Sequence, residues 1–287
     1  MAFLRSVGTT LEMIKWEHSV FALPFALTGA MLAAHGWPRP VQLLWIIVCM
    51  VTARSAAMAF NRWADADLDA VNPRTASRAI PAGLLSRSFA GVFAAVMAGL
   101  FVLSAAQLNR LALLLSPVAL AIVLSYSYTK RFTRWSHLVL GLSLGIAPSA
   151  AWIAIRGTLD LRILILTVAV LFWVAGFDIL YACQDAEHDR AHRLYSLPAA
   201  MGISKAFWVT RVLHAITLGL LLLLVKLFSL GAIALAGIIV VAVLLLYEHL
   251  IVSPKDLRRL NAAFFTMNGI ISIVFFIFVA ADILARR

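Results

Sequence analysis

Apolar runs of about twenty residues repeat along this chain, each closed by a short polar stretch or a Gly/Pro-containing turn. Nine such runs lie at roughly 19–35, 41–60, 87–106, 109–128, 136–155, 161–182, 206–227, 229–250 and 262–284. An α-helix needs about 20 mostly apolar residues to cross the hydrocarbon core of a bilayer, so the pattern predicts nine membrane-spanning helices. The connections contain suitable punctuation: Gly36-Trp37-Pro38, Pro81-Ala82-Gly83, Arg156-Gly157 and Ser253-Pro254. Ahead of the first run, Leu4, Val7, Leu11 and Ile14 recur at helical spacing among Arg5, Glu12 and Lys15, with Trp16 nearby. That spacing predicts a short interfacial helix over residues 1–17. The same stretch lacks a continuous apolar run and a small-residue cleavage site, so it does not read as a secretory signal.

Composition agrees with an all-α membrane protein: 63% of residues are hydrophobic and 13% charged. The 287 residues read as one domain, an interfacial helix over 1–17 followed by a membrane bundle over 19–284, with no room for a separate soluble domain. Cys49 and Cys183 are the only cysteines and are far apart, which indicates neither a disulfide framework nor a zinc site. A net charge of +11 would raise nucleic acid as a partner of a soluble protein. Here topology accounts for it, and no nucleic-acid partner is expected. With nine spans, the N-terminus and the even-to-odd connections share one side, which collects 17 of the 24 Lys and Arg residues. The positive-inside rule makes that side cytoplasmic and leaves the C-terminus outside, as in a bacterial-type inner membrane.

Two acidic stripes stand out at the cytoplasmic ends of the second and sixth runs. Asn61, Asp65 and Asp69 form the first; Tyr181, Asp185 and Asp189 form the second, offset by 120 residues at each position. Residues four apart share a helical face, so each stripe aims oxygen ligands one way, and the offset predicts two half-sites facing each other. Carboxylates are costly near hydrocarbon, which makes such a cluster a functional hypothesis. Magnesium prefers oxygen and binds through one or two carboxylates plus substrate phosphates. A diphosphate could bridge the stripes, its departure stabilised by Mg²⁺ and by Arg or Lys donors. The carbon left behind would be an allylic cation, with an isoprenoid tail in the apolar bundle.

The run RSAAMAFNRWADADLDAVNPRTASRAIPAG, residues 54 to 83, resembles the first signature of UbiA-type intramembrane aromatic prenyltransferases, NxxxDxxxD followed by a basic residue and a Pro-x-Gly turn. GFDILYACQDAEHD, residues 176 to 189, resembles the second, DxxYxxxDxxxD, and YSYTKR, residues 126 to 131, the family's tyrosine and basic pair. The resemblance implies nine transmembrane helices around a central cavity with a cytoplasmic cap, and Mg²⁺-dependent transfer of a prenyl group from its diphosphate to an aromatic ring. Carried over by position, Asn61, Asp65 and Asp69 would bind one Mg²⁺, and Asp185 with Asp189 the other. Asp178 joins the site, either orienting ligands or accepting a proton from the acceptor ring. Arg78, Lys130 and Arg131 would contact diphosphate, and Tyr181 would line the cavity. Arg54, seven residues before Asn61 and so two turns deeper on that face, is expected to meet an anionic acceptor group such as a ring carboxylate, or a stripe carboxylate.

Asp67 and Glu187 point elsewhere on an ideal helix and are expected to face solvent. Several relatives carry Lys-Ser-Thr after the second stripe where this chain has Tyr195-Ser196-Leu197, so Arg190 or Arg193 could replace a missing cation. His18 reads as a polar anchor near the cavity mouth, Gly141 and Gly145 as close helix packing, and Pro24 and Pro148 as kinks. The similarity is nearest to 4-hydroxybenzoate polyprenyltransferases of the ubiquinone pathway, with a dihydroxynaphthoate for menaquinone synthesis as the alternative acceptor. A cation or proton-coupled transporter is the competing reading from another class. A CDP-alcohol phosphatidyltransferase would need a tight acidic run with interleaved Gly and Arg, which is not found.

Overall fold

The protein is described by a computed structural model that covers residues 2–14, 21–254, 256–257, 260 and 266–286. Its helices are α1 (Ala2–Ile14), α2 (Leu23–Ala34), α3 (Pro40–Ala64), α4 (Ala66–Val71), α5 (Arg87–Ala106), α6 (Arg110–Thr129), α7 (Ser136–Arg156), α8 (Leu164–Ala182), α9 (Ala186–Ala191), α10 (Leu197–Met201), α11 (Ile203–Leu227), α12 (Ala232–Ile251) and α13 (Asn268–Ala285). Eight helical stretches among the described residues are long and apolar enough to cross a membrane, and α2 is a shorter apolar helix of 12 residues. Among the described residues the apolar runs thus correspond to these eight stretches and the shorter α2, in an all-α membrane bundle. Their outer faces keep residues such as Val92, Leu103, Leu114, Val118, Val243 and Leu250 exposed, as a lipid-facing surface requires.

Packing centres on α8, buried along most of its length between α7 and α11. Trp173 is 2% exposed and meets Phe25 and Phe177 at ring-centroid distances of 5.1 and 5.0 Å. Small residues bring the backbones close, since lipid tails leave helix association to close van der Waals contact. Gly141 and Gly145 lie against the Leu171 and Thr167 carbonyls of α8, and Gly29 of α2 against the Pro148 carbonyl of α7, where a Cβ would collide. Ala56 and Ala59 of α3 and Ala90 of α5 are likewise fully buried. Pro148 lies inside α7, whereas Pro24 sits in the first turn of α2, where its missing N–H is no loss.

Two buried polar side chains, Asp282 and Asn109, tie helix ends together across the bundle. Asp282 of α13, 1% exposed, accepts the Gly231 N–H at 2.7 Å and the Ala234 N–H at 3.3 Å, capping α12. Asn109 caps α6 by accepting the Ala112 N–H and donates to the Ile153 and Ala154 carbonyls of α7.

The stripes do not lie on straight helices. α3 stops at Ala64 and α4 begins at Ala66, with Asp65 between them at φ −96°, ψ 8°. α8 stops at Ala182, Cys183–Asp185 form a 3₁₀ turn, and Asp185 at φ −101°, ψ 3° precedes α9. Both central aspartates thus occupy the bridge region between helix and extended backbone. The Asp65 N–H still donates to Asn61 O at 2.9 Å and the Asp69 N–H to Asp65 O at 2.7 Å, so the four-residue spacing survives the break.

Candidate active site

One cavity of about 280 Å³ opens at the end of the bundle where α3, α6 and α8 carry their polar residues. All the sequence-predicted site residues line it: Arg54, Asn61, Asp65, Asp69, Arg78, Lys130, Arg131, Asp178, Tyr181, Asp185 and Asp189. Phe21, Met58, Leu140, Leu144, Val174 and Phe177 supply its apolar wall. The arrangement is amphipathic, with carboxylates and cations at one end and hydrocarbon at the other. Asp67 and Glu187 are exposed; Asp67 pairs at 3.0 Å with Arg87.

Each stripe carboxylate faces a cation. Arg131 lies 3.0 Å from Asp65, Arg78 2.6 Å from Asp69, Arg74 2.5 Å from Asp185 and Lys130 3.7 Å from Asp189. Asp69, Asp185 and Asp189 have side chains less than a tenth exposed, whereas their partners are about a third exposed. Buried like charges this close repel and lose hydration, so guanidinium and ammonium groups are what make the cluster tolerable. Burial pushes the Asp65 carboxyl up from its ordinary value, and the bond and charge of Arg131 pull it back only in part. Burial works against the charge on Arg74, but bonding to Asp185 outweighs it and holds the guanidinium above its ordinary value.

Several contributors were not singled out as site residues by sequence. Arg74 donates through Nε to Asp185 Oδ1 at 2.8 Å and through Nη1 to the Tyr181 hydroxyl at 3.1 Å, clamping the connection after the first stripe onto the second. Asn72 donates to the same Asp185 oxygen at 3.3 Å. Arg62, 7% exposed, donates to Asn61 Oδ1 at 3.2 Å. Of the two tyrosines in YSYTKR, Tyr126 lines the cavity while Tyr128 packs its ring against Arg131. His137 is wholly buried, with Nδ1 2.6 Å from Asp178 Oδ2. The basic residues were visible in sequence, but nothing in periodicity assigns a loop arginine to a carboxylate 111 residues away.

The expectation that Arg190 or Arg193 supplies the missing cation is corrected. Neither lines the cavity, and Arg190 donates to the Ala199 carbonyl at 3.3 Å. Arg74, from the other half of the chain, lines the cavity and bonds Asp185. His18 lies outside the described residues.

The donor set fits Mg²⁺. Asp69 Oδ2 and Asp189 Oδ2 are buried with no hydrogen-bond partner, and the cations that pair with these oxygens, Arg62 and Lys130, stand off at 3.9 and 3.7 Å. Such orphaned carboxylate oxygens suit a hard cation. Among the described residues no three His, Cys, Asp or Glu side chains converge into a closed cage. Mg²⁺ does not need one, since it keeps waters and takes its remaining ligands from phosphate.

Over residues 22–270 the chain matches the UbiA prenyltransferase family. It is 30% identical over 251 residues to the 4-hydroxybenzoate octaprenyltransferase of Nitrosomonas europaea, spanning 87% of this chain and 85% of that one. The apo structure of a UbiA homolog from Aeropyrum pernix K1 superposes with a TM-score of 0.84 at 33% identity, covering 94% of this chain and 98% of that one. A UbiA homolog from Archaeoglobus fulgidus bound to DMAPP and Mg²⁺ shares the fold, with a TM-score of 0.74 at 21% identity over 96% of this chain and 99% of that one. With its helical membrane bundle, its facing acidic stripes and this match across most of its length, the chain belongs to the UbiA prenyltransferase family and is a membrane prenyltransferase.

Proposed function

We propose that this enzyme transfers a polyprenyl group from polyprenyl diphosphate to the ring of 4-hydroxybenzoate, a step of ubiquinone biosynthesis. The observation that carries the reading is the single cavity in which four carboxylates, each matched by a cation, sit above an apolar wall. The names of the curated relatives support the choice of acceptor. The basic excess supports a cytoplasmic N-terminus and acidic face, an external C-terminus and a bacterial-type inner membrane. The whole chain acts as one domain in which α1 (Ala2–Ile14) lies at the membrane interface; residues 1 and 15–17 of the expected helix lie outside the described residues.

Asn61, Asp65 and Asp69 on one side and Asp185 and Asp189 on the other would hold Mg²⁺, which supplies charge neutralisation at the departing diphosphate. Arg74, Arg78, Lys130 and Arg131, which pair with the carboxylates, exchange those partners for phosphate oxygens when the diphosphate enters. They then stabilise negative charge as it grows on the leaving group. The carbon–oxygen bond to diphosphate breaks with its electron pair leaving on oxygen. The acceptor ring carbon bonds to the allylic carbon, and the ring proton passes to Asp178. Arg54 meets the acceptor carboxylate, and Val174 and Phe177 shield the cation from water.

Purified protein in detergent or lipid is assayed with polyprenyl diphosphate, Mg²⁺ and either 4-hydroxybenzoate or a dihydroxynaphthoate, beside Asp65→Ala and Asp185→Ala. Metal-dependent product with 4-hydroxybenzoate, lost in both variants, supports the proposal. Product only with the naphthoate moves the enzyme to menaquinone synthesis, and product with neither acceptor overturns both readings.

A further inference from the structure

His137 lies in the first turn of α7, wholly buried, with both ring nitrogens engaged. Nδ1 is 2.6 Å from Asp178 Oδ2, and Nε2 is 3.3 Å from the backbone nitrogen of Leu197. A backbone N–H can only donate, so Nε2 accepts and the ring proton resides on Nδ1. His137 therefore donates through Nδ1 to Asp178, which has one carboxyl oxygen fixed. The Asp178 side chain is 11% exposed and lines the cavity, so the part of the carboxylate not held by His137 is the part a ligand meets.

The same ring reaches the other half of the site. Leu197 opens α10 at the end of the segment following the second stripe. Within that segment Leu194 lines the cavity, and the Tyr195 N–H donates to the Lys130 carbonyl at 2.7 Å. Lys130 in turn faces Asp189 at 3.7 Å. One short stretch of chain is thus pinned at one end to a residue that pairs with a stripe carboxylate and at the other to the histidine holding Asp178.

We infer that His137 is a positioning residue for prenyl transfer: its Nδ1–H fixes Asp178 in the orientation that meets the acceptor ring, and its Nε2 registers that orientation to the segment after the second stripe. This rests on the reading of Asp178 as the ring-proton acceptor. A carboxylate that can rotate spends little time aimed at the proton it must take, and a single well-placed donor removes that freedom.

The test separates the two ends of the ring. His137→Asn places an amide N–H near the Nδ1 position and gives up the Nε2 contact, whereas His137→Leu removes both. These variants, Asp178→Asn and the double variant His137→Leu/Asp178→Asn are purified beside the wild type. Prenyl transfer and acceptor-independent hydrolysis of the prenyl diphosphate are measured in parallel. His137→Leu lowers kcat for transfer about 10- to 100-fold, as expected for loss of a group that orients a functional ligand. Its KM for prenyl diphosphate stays within about twofold, because His137 bonds Asp178 and Leu197 and none of the cation side chains proposed to meet the diphosphate. More of its diphosphate turnover is lost to hydrolysis. His137→Asn returns transfer to within about fivefold of wild type, and the double variant is no slower than Asp178→Asn alone, as for residues acting through one another. Equal impairment of the Asn and Leu variants, or additive losses in the double variant, would overturn the inference and leave His137 an anchor for Leu197. A wild type that transfers to no acceptor would instead bring down the proposed reaction, and this inference with it.

Discussion

Replacing Arg74 by glutamine removes the cation that holds Asp185 before any substrate arrives. Asp185 has a side chain only 7% exposed and takes two bonds from Arg74, at 2.8 and 2.5 Å. Breaking one side of a buried ion pair costs about 3–5 kcal/mol. Two features reduce this: Arg74 is itself 32% exposed, and the bond from Asn72 at 3.3 Å remains. A loss of about 2 kcal/mol is the expected result. At about 2–4 °C per kcal/mol, the metal-free variant melts about 4–8 °C below wild type. Tryptophan fluorescence of the detergent-solubilised protein in a chelator reads this, with 8 tryptophans available as reporters. Adding Mg²⁺ reverses the ranking of the shifts. The variant offers the metal a carboxylate with no competing guanidinium, so Mg²⁺ raises its melting point more than that of wild type, by mass action on the folded state. A variant that melts within about 1 °C of wild type in chelator, or equal Mg²⁺ shifts in the two proteins, would refute the idea that Arg74 holds Asp185 in the resting site.

Asp69→Asn keeps side-chain volume while removing the charge behind the orphaned Oδ2; transfer falls by about two to three orders of magnitude in a radiolabelled prenyl assay. Arg54→Ala raises the KM for the acceptor about 10- to 100-fold, the worth of one charged hydrogen bond, and leaves that for prenyl diphosphate little changed, as steady-state kinetics in each substrate will show. Asp282→Ala strips the cap from α12 and leaves the Gly231 and Ala234 N–H groups unsatisfied. It costs about 2 kcal/mol of stability, visible as earlier melting, while prenyl transfer at low temperature is unchanged.

The bundle was legible because bilayer thickness imposes a length on each apolar run, and the site because helical spacing puts Asn61, Asp65 and Asp69 together. The family match removes the transporter alternative, which the same intramembrane acids had left open. What remained hidden depends on contacts between distant segments. Arg74 reads as one basic loop residue among several until the fold brings it to Asp185, and His137 reads as a polar residue at a helix start until α7 packs on α8. Arg190, near the second stripe in sequence, was a candidate with Arg193 for a cation missing from the following loop, yet its guanidinium is engaged by the Ala199 carbonyl.

The two stripes share a backbone feature, a break in the helix at each central aspartate. A carboxylate on a straight helix shares its direction with the neighbouring turns and points where the helix axis dictates. Asp65 and Asp185 leave the helical region at nearly the same backbone angles, φ −96°, ψ 8° and φ −101°, ψ 3°, and a new short helix starts immediately after each. The following aspartates, Asp69 and Asp189, are then carried on the short helices α4 and α9, beyond the break that ends each of the membrane-crossing helices α3 and α8. Both stripes thereby reach one cavity although α3 and α8 pack on different neighbours, α5 for the one and α7 and α11 for the other. The repeated feature is a hinge of fixed geometry, with the spacing in sequence as its visible trace. An alanine at either hinge favours continuation of the helix, so Asp65→Ala and Asp185→Ala alter the direction of the next aspartate as well as removing one carboxylate. Asp65→Asn, which retains a short polar side chain suited to the break, separates the two effects: if helix continuation contributes, Asp65→Ala has the larger loss of diphosphate binding, measured as thermal protection by a non-ionisable prenyl diphosphate analogue. Equal losses would reduce the hinge to a passive feature of the backbone.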